Sequence, residues 1–564
     1  MEYVIGVFAV LLILFIKILY DARNTEKQNL YMLKKGWGNV PQQEYTDEKF
    51  QSLKYYYLCN RRENLDVDDI TWNDVDMDSI FMLLNNTKSS IGEEYLYSIL
   101  HHLEYSKEEL EKREELIQLF QKNEVVREKL QASFLQMGKL HNISFYQYVS
   151  AMKDIVTKKT YRHHILAACL IGCLGWIFVA ALSGFTLAPA IIGTIAFVCI
   201  NIVQYYKRKA EIEKYFTVLS YILRLLYSVK KIVKLGLPEL KKYETELQKN
   251  MKAFQKFQSQ ARFLFSGKNM TGSLADVILD YEKMLFHTDL IKFDNMVLEV
   301  KNKQNELNQL FEIIGLLDSM LAVASFRALV KEHYCSPVLK KGSRPEISID
   351  GMYHPMISEP VANSISEKQC VLITGSNASG KSTFIKTIAI NAILAQTIHT
   401  CLCEKYEASY FKVYSSMALQ DNLLGKESYY IVEIKSLKRI MDQLTEEIPT
   451  LCFVDEVLRG TNTLERIAAS SQILKGFSRG NVICFAATHD IELTYILEKY
   501  YSNYHFQEQI KDNEILFDYT LYKGRAVSRN AIKLLEIMGY EKEIIEQATK
   551  EANTFLEKGV WNAI

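Results

Sequence analysis

The sequence predicts a multidomain protein that combines a helical part, an α/β part and apolar segments of membrane type. Three observations support this fold class. An uncharged stretch runs from Ile165 to Tyr206 between two basic clusters. Apolar residues recur at helical spacing in residues 66–334, where Pro189 and Pro238 are the only prolines. After Tyr334, short apolar runs alternate with helical patterns, which is typical of a parallel-rich sheet covered by helices on both faces.

Composition and charge limit the possible classes of protein. The 564 residues are enough for two or three domains with sizeable cores. Because 67 basic residues balance 67 acidic residues, no overall charge indicates a nucleic-acid partner. The stretch Lys207–Lys268, with 15 Lys and Arg against 5 Asp and Glu, fits either a helix face beside a membrane or a DNA contact. The ten cysteines include no C-x-x-C pair and are interpreted as small apolar residues of a reducing compartment.

Two regions are apolar enough to cross a membrane. Residues 1–20, apolar without interruption from Val4 to Ile16, predict a transmembrane anchor, because no small-residue cleavage site follows them. The stretch Ile165–Tyr206 predicts a hairpin of two spans of about 20 residues each, with its turn at Ser183-Gly184 and Pro189. A fully buried core hairpin is the alternative. Basic residues at the outer ends predict a multi-pass protein in contact with lipid, with its N-terminus outside and its bulk in the cytoplasm.

The remaining chain divides by pattern into a helical and an α/β region. Apolar runs at Val371–Ile373, Leu451–Val454 and Val482–Ala486 predict buried parallel strands, and Tyr504–Ile510 with Ile515–Tyr522 predicts a hairpin. The predicted domains are a membrane anchor (1–20), a linker (21–65), a helical domain (66–334) with the inserted apolar hairpin (165–206), an α/β domain (335–527) and a C-terminal helical segment (528–564).

A glycine-rich loop is the clearest chemical signal in the chain. Residues Gly375–Ser382 fit the pattern G-x-x-x-x-G-K-[ST], between a strand pattern at Cys370–Ile373 and a helical pattern at Phe384–Ile398. The N–H groups of such a loop form a nest for phosphate, the lysine reaches the β- and γ-phosphates, and the next hydroxyl binds Mg²⁺. Tyr353-His354, upstream of the loop, is a candidate for stacking on adenine. The predicted nucleotide-binding residues are Gly375, Ser376, Asn377, Ala378, Ser379, Gly380, Lys381, Ser382 and Thr383.

Two further strand ends supply candidate catalytic groups. The run Leu451–Val454 ends in Asp455 and Glu456, an order that suits a metal-binding carboxylate followed by a general base for the attacking water. His489 follows a third apolar strand, at the sheet edge where ligands bind in open α/β folds, and could sense the γ-phosphate or orient water. The structural alternatives are an ordinary acidic strand end and a core histidine. The predicted catalytic residues are Lys381, Glu456 and His489, and the predicted Mg²⁺ ligands are Ser382 and Asp455.

Taken together, these residues resemble the ATPase domain of the MutS family of DNA mismatch-repair proteins. The loop Gly375–Thr383 is similar to the family's G-P-N-M-G-G-K-S-T, and Asp455–Thr463 is similar to D-E-x-x-R-G-T-S-T. Ala487–Leu493 resembles A-T-H-Y-x-E-L, and Ser428–Ile434 resembles S-T-F-M-x-E-M. Leu83–Gly92 resembles the opening of the family's lever domain. The resemblance covers most of the chain outside the apolar segments.

The resemblance implies an ABC-type P-loop ATPase domain at residues 335–527, a long-helix lever domain at 66–334 and a dimerising segment at 528–564. It implies hydrolysis of ATP by a homodimer with composite sites. Ser428 would contact the γ-phosphate of ATP held by the partner, and Asn462 would lie near the dimer seam. Binding of ATP would tighten such a pair, and hydrolysis would loosen it.

The sequence departs from the family in the parts that recognise DNA. The stretch Asp21–Asp66 is too short for the family's mismatch-reading and connector domains, and no Phe-x-Glu wedge lies in a suitable context. Two functions therefore remain open. One is an ATPase that binds mismatched, branched or non-specific DNA at the membrane through Lys207–Lys268. The other is a membrane ATPase that acts on a membrane or protein partner without DNA. An ABC transporter subunit is disfavoured, because no L-S-G-G-Q lies between the loop and Asp455.

Overall fold

The chain folds into two compact units that alternate along the sequence. One unit contains Met1–Arg61, Leu83–Ser98 and Glu115–Leu329, and the other contains Arg62–Met82, Ile99–Glu114 and Val330–Ile564. The structure is a computed structural model, and it describes residues 17, 20–21, 23–25, 27–154, 160–183, 187–265, 281–331, 333–342, 344–376, 378–417, 429–459, 461–511, 514–526 and 531–559.

The first unit is built from helices and the turns that join them. Residues 27–36 and 281–286 are helical, and Pro238–Leu240 forms a short 3₁₀ turn. The labelled helices before residue 331 are α1 (Asp47–Asn60), α2 (Asp69–Asp74), α3 (Met77–Leu84), α4 (Ser90–His101), α5 (Lys107–Lys122), α6 (Glu124–Met137), α7 (Phe145–Ala151), α8 (Thr160–Leu182), α9 (Leu187–Leu235), α10 (Lys241–Ala253), α11 (Gln255–Phe265), α12 (Thr288–Asn302) and α13 (Gln304–Val330). Of these, α2 belongs to the second unit, and the unit boundaries fall within α3, α4, α5 and the last residue pair of α13.

A buried carboxylate fixes the start of α4 in the helical unit. Asp318, on α13 and 1% exposed, accepts hydrogen bonds from the N–H groups of Lys88 and Ser89 at 3.1 and 2.9 Å. It also accepts the Ser89 hydroxyl at 2.6 Å. These bonds satisfy donors that have no partner within the helix. Gly92 permits the close approach, because a Cβ atom there would lie 2.2 Å from Oδ2 of Asp318.

The uncharged stretch forms two helices, α8 and α9, which contact each other. Helix α9 continues from the uncharged stretch through the basic residues to Leu235, a length of 49 residues, because a change from apolar to charged side chains does not break a helix. Pro189 was predicted to mark the turn between the two spans, but it lies in the first turn of α9, where its missing N–H is tolerated. Residues 184–186 of the predicted turn lie outside the described residues.

Three helices of the described chain are long and apolar enough to cross a membrane. They are Tyr161–Leu182, Leu187–Leu235 and Gln304–Val330. In the most apolar windows of the first two, only 11% and 17% of the residues are buried, so their apolar side chains face outward. The third is 78% buried and forms part of the core of its unit. The predicted anchor at residues 1–20 lies almost entirely outside the described residues.

Polar contacts tie the apolar hairpin to the region of α12. The Tyr205 hydroxyl donates to Oδ2 of Asp289 at 2.8 Å, and the side-chain amide of Asn201 donates to the carbonyl of Leu285 at 2.9 Å. Asn201, Tyr205 and Asp289 are all buried. Because buried polar groups require partners, these contacts hold α9 in one register against α12.

The second unit carries the strands. They are β1 (Val338–Lys340), β2 (Ile347–Met352), β3 (Asn363–Glu367), β4 (Cys370–Thr374), β5 (Lys405–Ser409), β6 (Lys412–Ser416), β7 (Thr450–Asp455), β8 (Val482–Thr488), β9 (Tyr501–His505), β10 (Glu508–Lys511), β11 (Glu514–Phe517) and β12 (Tyr522–Lys523). The helices after residue 331 are α14 (Lys381–Thr397), α15 (Tyr429–Asp442), α16 (Thr463–Phe477), α17 (Ile491–Ile496), α18 (Ala531–Ile537) and α19 (Lys542–Lys558).

The main sheet of this unit is largely parallel. Its strand order is β12-β9-β4-β8-β7-β6, in which all neighbouring pairs except β12 with β9 are parallel. Every residue of β4, β6 and β8 is buried, as expected for strands covered on both faces. A second sheet has the order β1-β5-β2-β3, and β10 pairs with β11. The carboxyl ends of β4, β7 and β8 therefore meet at one edge of the main sheet.

The predicted strands are found as β4, β7 and β8, but the predicted hairpin is only partly correct. The hairpin consists of Glu508–Lys511 and Glu514–Phe517. Tyr501–His505 instead pairs in parallel with β4. The chain leaves β9 at Phe506, whose N–H donates to the carbonyl of Thr374 at 2.9 Å. This bond continues the parallel pairing of β9 with β4. Tyr504 therefore belongs to the main sheet and not to the hairpin.

Two segments from the N-terminal half of the chain support this sheet unit. The Asp74 carboxylate at the end of α2 accepts the Ser415 hydroxyl at 2.6 Å and the Met417 N–H at 2.8 Å. The N–H of Glu104 donates to the carbonyl of Gln396 at 2.8 Å. Strand β6 and the end of α14 are thus held by residues that lie far from them in sequence.

Candidate functional site

The glycine-rich loop joins the buried strand β4 to helix α14. Gly375 has a φ of 153°, and a Cβ atom there would lie 2.8 Å from the Ser379 hydroxyl and 2.9 Å from the Phe506 carbonyl. Gly380 has a φ of 104° and precedes the first residue of α14. Both positions favour glycine because of backbone conformation, and Gly375 also because of space. The loop therefore presents backbone rather than side chains at the start of a helix.

Lys381 points back into the loop. Its Nζ donates to the carbonyl oxygens of Gly375 at 2.9 Å and Ser376 at 2.8 Å, and the residue is 5% exposed. Burial lowers the pKa of Lys381, and the nearby carboxylates of Asp455, Glu456 and Glu508 oppose this shift. The cation thus lies under the loop, where it can interact with anions held by the N–H groups.

Other loop residues fit an anion. The Ser379 hydroxyl, in a residue 1% exposed, has no hydrogen-bond partner among the described residues. Ala378 has a left-handed φ of 65°, a conformation that helps successive N–H groups to converge. Thr383 lies exposed on the first turn of α14, and Ser376 Oγ donates to Glu508 at 2.7 Å. Asn377 lies outside the described residues.

Ser382 and Asp455 meet across the sheet edge. The Ser382 hydroxyl, on the first turn of α14, donates to Oδ2 of Asp455 at the end of β7 at 2.5 Å. Burial raises the pKa of Asp455, and the Ser382 hydrogen bond lowers it. No cluster of three His, Cys, Asp or Glu residues that could hold a metal ion occurs in the described part of the chain. A hydroxyl and one carboxylate suit Mg²⁺, which takes few protein ligands and completes its shell with water and phosphate.

Glu456 is held by two cationic or potentially cationic side chains. Its Oε1 lies 2.6 Å from Nε2 of His489, just beyond β8, and its Oε2 lies 2.9 Å from Nε of Arg459. The N–H of Glu456 donates to the carbonyl of Ala487 at 3.0 Å, which extends the pairing of β7 with β8. The structure thus brings together Lys381, Ser382, Asp455, Glu456 and His489, as expected for residues at neighbouring strand ends.

A cavity of about 550 Å³ opens beside the loop. Tyr353 and His354 line it, together with Phe506 and Tyr519. Sequence reasoning named the first two and missed the last two, because a single aromatic residue in a polar stretch carries no periodic signal. The loop residues Ala378–Phe384 form the other part of the lining, so the cavity is continuous with the candidate phosphate site. Its size and mixed lining suit a planar base with attached polar groups.

The resemblance assigns two further residues, Ser428 and Asn462, to the dimer interface. Ser428 is outside the described residues. Asn462 is exposed and caps α16, where its Oδ1 accepts the N–H of Glu465 at 3.0 Å.

A glycine loop between a buried strand and a helix, with carboxylates and a histidine at adjoining strand ends, is typical of proteins that bind nucleotide phosphates. Comparison with known proteins shows which nucleotide-binding proteins this chain resembles. The family profile MutS domain V matches residues 371–556, which include the loop, Asp455, Glu456 and His489. Relatives named DNA mismatch repair protein MutS match the chain over 253 to 297 residues. The C-terminal part of this chain is thus similar to MutS domain V and to these MutS proteins.

The identities and coverage are similar among these relatives. MutS from Thermus thermophilus is 27% identical over 44% of this chain and 30% of the relative. MutS from Thermotoga sp. (strain RQ2) is 29% identical over 45% of this chain and 33% of the relative. MutS from Clostridium kluyveri is 25% identical over 50% of this chain and 33% of the relative. The chain thus spans about a third of the length of the curated relatives it matches.

Proposed function

We propose that this protein is an Mg²⁺-dependent ATPase of MutS type, in which ATP binding and hydrolysis drive contact with DNA at a membrane. The observation that carries the ATPase part is the meeting of Ser382 with Asp455 and of Glu456 with His489 at the mouth of the glycine loop. A loop alone would bind phosphate, whereas these added groups supply a metal site and a base.

Each side chain has a distinct role in this proposal. The loop N–H groups and Lys381 bind the β- and γ-phosphates, and Ser382 and Asp455 hold Mg²⁺. When bound, Mg²⁺ neutralises phosphate charge and positions the phosphates for in-line attack. Glu456 accepts the proton of the attacking water, and His489 orients the Glu456 carboxylate through its hydrogen bond. Tyr353 and Tyr519, on the lining of the cavity, would contact the base.

We extend the proposal to a homodimer with composite sites, following the resemblance at Ser428 and Asn462. Mixing Ser428→Ala protein with Lys381→Ala protein tests this sharing. A composite site predicts that the mixed dimers regain one intact site and part of the activity. Independent sites predict that Ser428→Ala alone keeps normal turnover.

Contact with DNA is supported by a basic surface on α9 and α10. Lys230, Lys234, Lys241, Lys242 and Lys249 are exposed in the helical unit. Exposed lysines bind phosphate backbones without sequence preference, and such binding weakens with salt. ATP turnover of the detergent-solubilised protein should therefore change with homoduplex, mismatched or branched DNA at low salt, and the effect should fade as salt rises. If no DNA binds or alters turnover at low salt, the DNA part of the proposal fails.

A second candidate is an ATPase that acts on a membrane or protein partner without DNA. One observation favours it: α9 joins the outward-facing apolar segment to the basic segment without interruption. ATP turnover that responds to lipid vesicles and not to any DNA would select this function. In both cases we propose that α8 and the first half of α9 lie in the bilayer, with the N-terminus outside and the bulk of the protein in the cytoplasm.

A further inference from the structure

A buried carboxylate contacts the loop that carries the proposed base. Glu433, on the second turn of α15, is 4% exposed and accepts a hydrogen bond from the N–H of Leu458. Leu458 lies two residues beyond Glu456. Glu433 therefore reaches the backbone of the proposed catalytic loop from a different element.

The loop that Glu433 holds has an unusual backbone. Glu456 has a φ of 54° and Leu458 a φ of 58°, both in the left-handed region that non-glycine residues disfavour. Such conformations persist only where surrounding contacts enforce them. Two side-chain or strand contacts hold the first part of the loop: the N–H of Glu456 donates to Ala487, and the Ser470 hydroxyl donates to the carbonyl of Val457 at 3.1 Å. Glu433 holds the part that follows.

Glu433 combines burial with hydrogen bonds to the backbone of the loop. Burial raises the pKa of Glu433, and the N–H groups of Leu458 and Arg459 oppose the shift by hydrogen bonding to the carboxylate. The carboxylate of Glu456 also raises this pKa, whereas Arg459 lowers it. Loss of the Glu433 side chain would leave the N–H groups of Leu458 and Arg459 without their acceptor and would release the loop.

We propose that Glu433 is a positioning residue for Glu456, which joins helix α15 to the loop 456–459. The inference rests on the proposed ATPase function. Glu433 lies one helix turn after Tyr429, so a displacement at the start of α15 would reach the loop 456–459 through one helix turn and the hydrogen bond to Leu458. Lys381 and Ser382 lie on a separate element, the first turn of α14. Loss of Glu433 should therefore impair the hydrolysis step while leaving nucleotide binding intact.

The experiment compares Glu433→Ala and Glu433→Gln with Asp442→Ala in the full-length protein. Asp442→Ala removes an exposed carboxylate from the same helix and is the matched control. Glu433→Ala should lower kcat about 100-fold, the effect of a small displacement of a reacting group, with the Kd for ATP within about 3-fold. Glu433→Gln keeps one oxygen that can accept the Leu458 N–H, and it should recover part of the loss. Asp442→Ala should behave as wild type.

Hydrogen exchange without added nucleotide separates this inference from the proposed function. The peptide that contains Leu458 and Arg459 should exchange faster in Glu433→Ala than in wild type or Asp442→Ala, whether or not the protein hydrolyses ATP. Unchanged exchange overturns the inference, as does a kcat equal to that of wild type. Equal loss of ATP binding and kcat would mark a general structural effect and would also overturn it. A wild-type protein without ATP turnover would instead contradict the proposed function.

Discussion

Nε2 of His489 lies 2.6 Å from Oε1 of Glu456, although the two residues follow different strands of the main sheet. The contact joins the ends of β7 and β8, and the N–H of Glu456 bonds to Ala487 on the same side. A histidine that donates to a carboxylate fixes the orientation of that carboxylate. His489 and Glu456 therefore form a pair in which the Glu456 carboxylate has a fixed orientation. A proton acceptor requires such an orientation.

Glu456→Gln should bind ATP but hydrolyse it about 10²- to 10⁴-fold more slowly, the usual contribution of a general base. The amide keeps the size of the side chain and can still accept from His489, so binding should change little. Single-turnover hydrolysis and equilibrium binding of labelled ATP measure the two effects. Lys381→Ala, which removes the cation under the loop, should lose binding instead. Near-normal hydrolysis by Glu456→Gln would refute its assignment as base.

Asp455→Asn should raise the Mg²⁺ concentration needed for half-maximal turnover by at least about 10-fold, since weakened ligation reduces metal affinity. The reason is the loss of the negative charge that faces Ser382 at 2.5 Å. A titration of turnover against Mg²⁺ checks this, with Asp442→Asn as the exposed control. Chelation with EDTA should stop turnover, and added Mg²⁺ should restore it. Turnover that persists in EDTA would exclude the proposed metal role.

Gly92→Ala should lower the free energy of unfolding by roughly 2–3 kcal/mol, the upper part of the range for overpacking. The new Cβ atom would lie 2.2 Å from Oδ2 of Asp318 and would disturb the bonds to Ser89. Thermal unfolding in detergent gives the comparison. Gly172→Ala, whose Cβ would meet no atom within 4 Å, should be neutral or slightly stabilising. Equal stability of both variants would contradict the packing described for α4 and α13.

The stability of the protein should rise with pH above about 8 because of Lys88. Burial lowers the pKa of Lys88 from 10.5 to about 8, against the opposing effect of Asp318. Between these values the unfolded state binds the proton and the folded state does not, so folding is favoured as pH rises, by at most about 1.4 kcal/mol per pH unit. Below pH 8 Lys88 is charged in both the folded and the unfolded state, so burial of its charge lowers the stability by the full amount.

Lys88→Met removes this titration. The variant should be more stable than wild type at pH 7, and the difference should shrink as pH rises to 10. Unfolding at pH 7, 8, 9 and 10 measures the trend, with the exposed Lys242→Met as control. A constant difference across this range would show that folding does not lower the pKa of Lys88.

The parts of the fold that local pattern determines were predictable from the sequence. Fully apolar runs predicted β4, β7 and β8, because strands buried on both faces leave no polar alternation. Pro189 was predicted to mark a turn but lies in the first turn of α9, because a proline is tolerated at a helix start as well as in a turn. The role of residues 62–82 in the sheet unit was not predictable, since contacts such as Asp74 with Ser415 join residues 341 positions apart.

The candidate site also contains residues that local sequence predicts and residues that only the tertiary structure brings in. Spacing within one motif predicted Gly375, Lys381 and Ser382, whose geometry depends on neighbouring residues. The cavity residues Phe506 and Tyr519 come from the chain after β9 and reach the loop only through tertiary structure. The contact between Glu433 and Leu458 was missed for the same reason, because nothing in the sequence indicates which side chain holds a left-handed loop.

Helix α9 has a mechanical consequence. With 49 residues and a rise of about 1.5 Å each, it is about 73 Å long. After Gly193 it contains neither glycine nor proline, the usual origins of sharp bends, and behaves as a stiff rod. A rotation of about 10° around one end would carry the other end through about 13 Å. A rotation too small to disturb packing at the basic end of α9 would therefore displace its apolar end by nearly half the thickness of a bilayer core.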